Sequence, residues 1–446
     1  MVFIGGLSAR GWHDMKLALS PLAILAGASI CGAAHGAVVL EEVLVTPAQL
    51  STPITNQATQ VTGNTHKAGD TRVFTVGKTG IIGVTDTKTN STTVFKDLSA
   101  GIYSKDEHGL IGMTFDPNYA TNGWYYVMRH SQPVAAGPIY GEVLRFTDPA
   151  IAAGGSQTIF RYDTNGTRFH QGGWIDFAPD GTLLMSVGDG SHFSGPDLNK
   201  TGQNPADLFG SILRIDPYND AFGADPIQNY AIPNGNLADS LSGAAPEVFA
   251  YGVRNPFRNS VAPDGNLLIA DVGQVTQEEV TILPLNGSAR NLGWSLREGD
   301  AATPGVGGPE PADYVTPAFT YDHAPQGSAI IGGFVYRGSQ VLELFGRYVF
   351  GDQISGNIYS IKYTPTDLID ESLMLIGNVA SLVSFGETVD GELLATQYKK
   401  ETGTQVFRFT GTSPAVPEPA LWTMMLIGFG AVGGAMRRKV GRRAIA

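Results

Sequence analysis

Cysteine is almost missing from this chain: of 446 residues only Cys31 carries a thiol. It lies in an apolar N-terminal stretch expected to be removed, so the mature protein has neither disulfides nor thiolate chemistry, and its stability must come from packing, with metal as a further source. A basic stripe is missing too. With 29 basic against 41 acidic residues and a formal charge of −12, a phosphate backbone is excluded as the main partner, and nucleic acid with it. Zinc-type chemistry has no ligands. The body has no cysteine, and His66, His108, His130, His170, His192 and His323 include no close-spaced pair. No Gly-x-Ser-x-Gly elbow, Walker loop or Cys-x-x-Cys-His haem attachment occurs. Long stretches of helical period are scarce.

What the chain has is 57 glycines and 26 prolines, clustered between short apolar runs, which excludes collagen and wholesale disorder. Runs such as Thr71 to Val76, Trp124 to Met128, Thr182 to Val187, Asn266 to Ala270 and Phe334 to Arg337 are rich in β-branched and aromatic residues and are flanked by turn formers. They predict an all-β protein. One strand-turn-strand phrase recurs around Asp180-Gly181, Asp264-Gly265 and Asp390-Gly391, where Asp-Gly supplies the positive φ of a tight hairpin. These pairs lie 84 and 126 residues apart, both multiples of about 42, a length typical of a four-stranded blade. A six-bladed β-propeller of four-stranded blades is expected, and it closes its strand edges without disulfides. A pair of β-sandwiches is the alternative.

The two ends read as address labels. Met15-Lys16 opens an apolar run to Ile30, followed by small residues up to Gly36-Ala37, the pattern of a secretory signal with cleavage near residue 36. Met15 is a second candidate start, and a buried N-terminal helix is the structural alternative. At the other end, Val416-Pro417-Glu418-Pro419 precedes an apolar run over 420–436 and then Arg437, Arg438, Lys439, Arg442 and Arg443. That order predicts a transmembrane helix over 420–436 followed by a basic stop. The three features together resemble the PEP-CTERM sorting signal. The resemblance implies an exosortase partner and export to the periplasm or surface of a Gram-negative cell, with at least transient C-terminal anchoring. The expected domains are a signal peptide over 1–36, the propeller over 37–412 and the sorting signal over 413–446. Without its ends the body is more acidic still, which suits solubility and calcium.

Three segments carry candidate chemistry. In Phe169-His170-Gln171-Gly172-Gly173-Trp174 two glycines remove steric cover beside an imidazole suited to general-base work, and Asp189 follows in Gly188-Asp189-Gly190. A turn histidine bonded to backbone is the plainer alternative. Tyr251-Gly252-Val253-Arg254-Asn255-Pro256 places a cation between strands, as a functional group or a structural ion-pair partner. Asp271-Val272-Gly273-Gln274, followed by Glu278-Glu279, joins a strand to an acidic loop able to offer carbonyls and carboxylates to calcium, or simply a solvated turn.

These phrases resemble the glucose/sorbosone dehydrogenases, which include pyrroloquinoline-quinone-dependent aldose sugar dehydrogenases. The resemblance also rests on Gly109-Leu110-Ile111-Gly112, Ile212-Leu213-Arg214-Ile215-Asp216, Asn291-Leu292-Gly293-Trp294 and Gly332-Gly333-Phe334-Val335-Tyr336-Arg337-Gly338. It implies a six-bladed propeller that oxidises a sugar at its anomeric carbon with pyrroloquinoline quinone and calcium. His170 falls on the family's base, and Arg254 on its arginine near the reacting oxygen. Glu107, Gln171, Asp189, Asn255, His323 and Arg337 fall on cofactor or substrate positions. Gly273, Gln274 and Glu279 fall on the calcium loop. The chain departs from the soluble glucose dehydrogenases where their quinone meets cations, for neutral Ile354, Ser381 and Val383 stand there. Each missing charge-assisted contact weakens cofactor grip by about 1.5–3 kcal/mol. Two functions follow. One is an exported sugar dehydrogenase passing electrons to a separate acceptor. The other is a non-catalytic, calcium-binding surface propeller that binds glycan, such as exopolysaccharide, or protein.

Overall fold

The computed structural model describes residues 38–45, 60–62 and 72–411, except 87, 90, 192–194, 196, 198–199, 289, 325–327 and 400–402. The expected signal peptide lies outside the described residues, as do His66 and His192.

Six four-stranded antiparallel sheets form the blades of a propeller. Blade 1 is Gln60–Thr62, Arg72–Val76, Ile81–Asp86 and Ser91–Asp97. Blade 2 is Leu110–Phe115, Trp124–Ser131, Tyr140–Thr147 and Ser156–Asp163. Blade 3 is Ile175–Phe177, Leu183–Val187, Ser211–Ile215 and Val248–Tyr251. Blade 4 is Ser260–Val261, Leu267–Asp271, Gln277–Leu283 and Phe319–Asp322. Blade 5 is Ile330–Val335, Arg347–Asp352, Asn357–Thr364 and Asp367–Asn378. Blade 6 takes Leu382–Glu387, Leu393–Lys399 and Gly403–Gly411 from the end of the body and Val38–Val45 from its start. That last pairing runs antiparallel from Val38 opposite Gly411 to Val45 opposite Gln405 and closes the ring.

The blade strands are apolar at successive positions because both faces of each sheet are covered by neighbouring blades. Leu183 packs toward blade 2 and Leu184 toward blade 4, while Ile330 packs toward blade 4 and Ile331 toward blade 6. Among the described residues the buried apolar side chains gather in six clusters, one at each blade junction. Each fully buried Leu, Ile or Phe stabilises the ring by about 1.5–3 kcal/mol.

The β-sandwich alternative is thereby excluded, but the spacing argument needs correction. Asp180-Gly181 and Asp264-Gly265 join the first two strands of consecutive blades, 3 and 4, so their separation spans one blade rather than two. Blade 3 is lengthened by the segments 188–210 and 216–247 between its strands.

The C-terminal transmembrane helix is also corrected. Among the described residues no helix is long and apolar enough to cross a membrane. The one α-helix among them, Tyr119–Asn122, has four residues. The 420–436 segment itself lies outside the described residues. The membrane anchoring drawn from that helix is withdrawn with it.

Candidate functional site

A cavity of about 360 Å³ opens where the segments leading into the inner strands converge. Blade 2 contributes Glu107, and blade 3 contributes His170, Gln171 and Gly172. Arg254, Asn255, Phe257, Val272, Gly273 and Gln274 come from blade 4, and His323 follows it. Ser328 to Ile331 and Gln353 belong to blade 5, and Val383 to blade 6.

His170 is the most constrained of these residues. Its backbone is left-handed, with φ 54°, a conformation that costs a non-glycine residue about 1–3 kcal/mol unless its surroundings hold it. Its N–H donates to Glu107 Oε2 at 2.5 Å, and its ring Nδ1 meets Asp189 Oδ1 at 2.6 Å. Ser191 N donates to the same oxygen at 2.8 Å, and Trp294 Nε1 donates to Asp189 Oδ2 at 2.8 Å. Glycine is required beside this pair. A Cβ on Gly188 would fall 2.3 Å from the His170 carbonyl oxygen and 2.8 Å from that of Arg254. With Nδ1 held by a carboxylate, Nε2 is the nitrogen left for a ligand.

Arg254 is 5% exposed and is held from two sides. Its Nε donates to Gln274 Oε1 at 3.0 Å and its Nη1 to the Val272 carbonyl at 2.9 Å. Its backbone N–H and that of Asn255 donate to the two oxygens of Asp271 at 2.7 and 2.6 Å. Asn255 Oδ1 accepts the Gly172 N–H at 3.2 Å, tying the histidine segment to the arginine segment. The guanidinium lies 5.7 Å from the Trp294 ring centroid.

Behind the Gly273 loop four carboxylates are buried: Asp271, Glu278, Glu279 and Glu298. Burial raises the first three. Glu298 Oε1 accepts the N–H groups of Gln274, Val275 and Thr276, each at 2.7 Å, and so shapes the loop. Glu278 meets His323 Nε2 at 2.6 Å, and that contact raises the histidine. Behind Glu107, Lys78 is 1% exposed and donates from Nζ to the Asp106 carbonyl. Burial lowers Lys78, while Glu107 and Asp106 pull it back up.

Of the residues singled out in the sequence, Glu107, His170, Gln171, Arg254, Asn255, Gly273, Gln274 and His323 line one cavity. Asp189 stands directly behind His170. Two expectations are corrected. Arg337 does not reach the cavity: it lies past the far end of blade 5's inner strand, where it pairs with Glu387 at the far end of blade 6's. Glu279 does not line it either, for its Oε2 accepts the Gly299 N–H at 2.8 Å on the other side of the loop. Sequence reasoning missed Glu298 and Lys78, and gave Trp294 and Asp271 no role toward His170 and Arg254. The phrases Asn291 to Trp294 and Asp271 to Gln274 were signals available for the last two.

The glucose/sorbosone dehydrogenase family model matches residues 64–403, and the PEP-CTERM protein-sorting motif matches 415–439. The chain is 27% identical over 368 residues to the HIPL1 protein of Arabidopsis thaliana, covering 68% of this chain and 52% of that one. It is 28% identical over 355 residues to the Hedgehog-interacting protein of Homo sapiens, covering 73% and 46%. It thus spans about half the length of these curated relatives. Among solved structures, the PQQ-bound aldose sugar dehydrogenase of Streptomyces coelicolor superposes with a TM-score of 0.61 at 18% identity, over 85% of this chain and 99% of that one. That likeness establishes the fold. The sorting motif supports export to the cell surface and implies an exosortase partner. Over most of its length, from 64 to 403, the chain belongs to the glucose/sorbosone dehydrogenase family.

Proposed function

We propose that this protein is an exported sugar dehydrogenase in which His170 takes the proton from an aldose hydroxyl during oxidation at the anomeric carbon. The observation that carries this reading is the chain from Trp294 through Asp189 to His170, built at a left-handed residue. A buried carboxylate on Nδ1 fixes the tautomer that leaves Nε2 as acceptor, as a general base requires. Arg254 is the donor placed to stabilise negative charge developing on the deprotonated oxygen. Glu107, Asn255, Ser328 and Gln353 offer hydrogen bonds to sugar hydroxyls, and Phe257, Ile330 and Val383 offer apolar surface to the ring. Residues 1–36 are removed as a signal peptide in this reading, and 413–446 serve in sorting.

Pyrroloquinoline quinone, held by the Streptomyces coelicolor protein of like fold, carries three carboxylates. Among the described lining residues Arg254 is the one permanent cation, and its Nε and Nη1 are already engaged. Val383 and the neighbouring Ser381 and Ile354 are neutral, and Glu107 adds a like charge. The pocket does not fit a tricarboxylate, and no step is drawn through one. No step is drawn through calcium either. Glu279 is turned away from Gly273 and Gln274, and among the described residues no three His, Cys, Asp or Glu side chains come together as a metal site. The oxidation needs a separate two-electron acceptor.

A second reading, a surface propeller that binds glycan or protein without redox chemistry, draws on the same shortage of cations. It also draws on the relative whose name records an interaction with Hedgehog. One experiment separates them. The purified protein is mixed anaerobically with a panel of aldoses and a redox dye, with and without added quinone and calcium. Sugar-driven dye reduction that falls at least about 100-fold in His170→Ala supports the dehydrogenase. Sugar binding with no reduction under any combination assigns the binding role. Tight quinone binding, at micromolar or below, would overturn the misfit.

A further inference from the structure

Four residues beyond Arg254 stands a second arginine that the cavity does not use. Arg258 is 4% exposed. Its Nη1 donates to the Phe257 carbonyl at 3.0 Å, and the guanidinium lies 4.0 Å from the Phe257 ring centroid. Its Nε and Nη2 are buried and have no hydrogen-bond partner. The other buried arginines differ. Arg214 donates from Nε to Asn236 Oδ1 at 3.0 Å and feels Asp180 and Asp239, and Arg290 donates to the carbonyls of Pro284 and Leu285. Like Arg290, Arg258 has no carboxylate offsetting its charge among the described residues, but it also lacks partners at two of its three nitrogens, and burial pulls the guanidinium down to about 9. Two residues on, Ser260 is 1% exposed and its hydroxyl is likewise without a partner. The backbone between them is locked against blade 5, since a Cβ on Gly332 would fall 1.8 Å from the Arg258 carbonyl oxygen.

A guanidinium taken out of water with no counter-charge is strongly unfavourable. The three N–H groups on Nε and Nη2 are buried donors with no acceptor, and the Ser260 hydroxyl two residues on is a further buried group without a partner. We infer that Arg258, supported by Ser260, forms a buried anion site behind the Phe257 wall of the cavity. Its ligand is a small monovalent anion, either a halide or the carboxylate of a small acid. The site is independent of the dehydrogenase reading, since neither residue lines the cavity.

The test starts from the whole purified protein in sodium isethionate, whose anion is too bulky for an enclosed site. Sodium bromide or sodium formate replaces it at constant ionic strength while the melting temperature is followed. Crystals grown with bromide are measured at the bromine absorption edge. The expected result is a saturable rise in melting temperature and an anomalous peak beside the Arg258 guanidinium. A rise with bromide alone identifies a halide site, and a rise with formate as well identifies a carboxylate site. Arg258→Met is expected to lose the anion response. A wild-type protein indifferent to both anions with no bromide peak at Arg258 overturns the inference, as does a full response retained in Arg258→Met. Should that variant fail to fold, the wild-type bromide map decides alone.

Discussion

Two buried histidines in this protein resist protonation side by side. His108 and His130 are fully buried with ring centroids 4.5 Å apart. Burial lowers His108 to about 4 and holds His130 well below the usual imidazole range. A folded pKa below the unfolded one means that the native state binds fewer protons. The stability contributed by a neutral His108 is therefore complete above pH about 6.5 and lost as pH falls toward about 4. The gap corresponds to roughly 3 kcal/mol. Thermal unfolding from pH 7 to 4 should show a steep loss of stability in the wild type and a shallower one in His108→Gln. Equal slopes would mean that the buried imidazole is not a source of acid sensitivity.

At the scale of the element, the active segments are short leaders held rigid by glycines and backbone amides. Gly188 follows the second strand of blade 3 and lies against the carbonyls of His170 and Arg254 at once. A Gly188→Ala change must push one of them away. It should cost about 1–3 kcal/mol as an overpacked site and reduce kcat by at least about tenfold through misplacement of His170. Kinetics at saturating sugar, compared with the melting temperature, separate the two effects, and unchanged kcat would remove Gly188 from the positioning of the base. The same element explains what could be read in advance. His170, Arg254 and Gln274 sit in compact phrases whose glycines and asparagines announce a special backbone, and those phrases lie at one end of the inner strands. Arg337 belongs to a phrase that starts inside such a strand, Ile330–Val335, and runs past its far end, carrying the arginine away from the cavity at about 3.3 Å per residue. Lys78 reaches its place behind Glu107, and Glu298 its place behind the Gly273 loop, through long-range packing, and local spacing holds no trace of that. The strand class was legible in the alternation of apolar runs and turn formers and the blade count in the body's length and the family phrases, whereas the 42-residue period was an accident of insertions such as 216–247 in blade 3 and 284–318 in blade 4.

At the scale of the whole molecule, the ring depends on one strand from the other end of the chain. Val38–Val45 supplies the fourth strand of blade 6, and without it Gly403–Gly411 becomes an open edge. Val38 and Leu40 pack against the cluster between blades 5 and 6, and a Cβ on Gly377 would fall 2.8 Å from Leu40 Cδ1, so that side chain fills its niche. Each of these partly buried side chains contributes up to about 1.5–3 kcal/mol, a large share of a native state stable by about 5–15 kcal/mol. Cleavage at the expected site near residue 36 would leave this strand whole. Deleting residues 38–45 while keeping the cleavage site should lower the melting temperature by about 10 °C or more and expose a strand edge prone to self-association. The dye-reduction activity should fall less steeply than stability, because the cavity is lined by blades 2 to 6 and touches blade 6 only through Val383 on its inner strand. A deletion variant that melts like the wild type and stays monodisperse would show that the propeller closes by hydrophobic contact between blades 1 and 6 alone, through Val73, Leu394 and Val406.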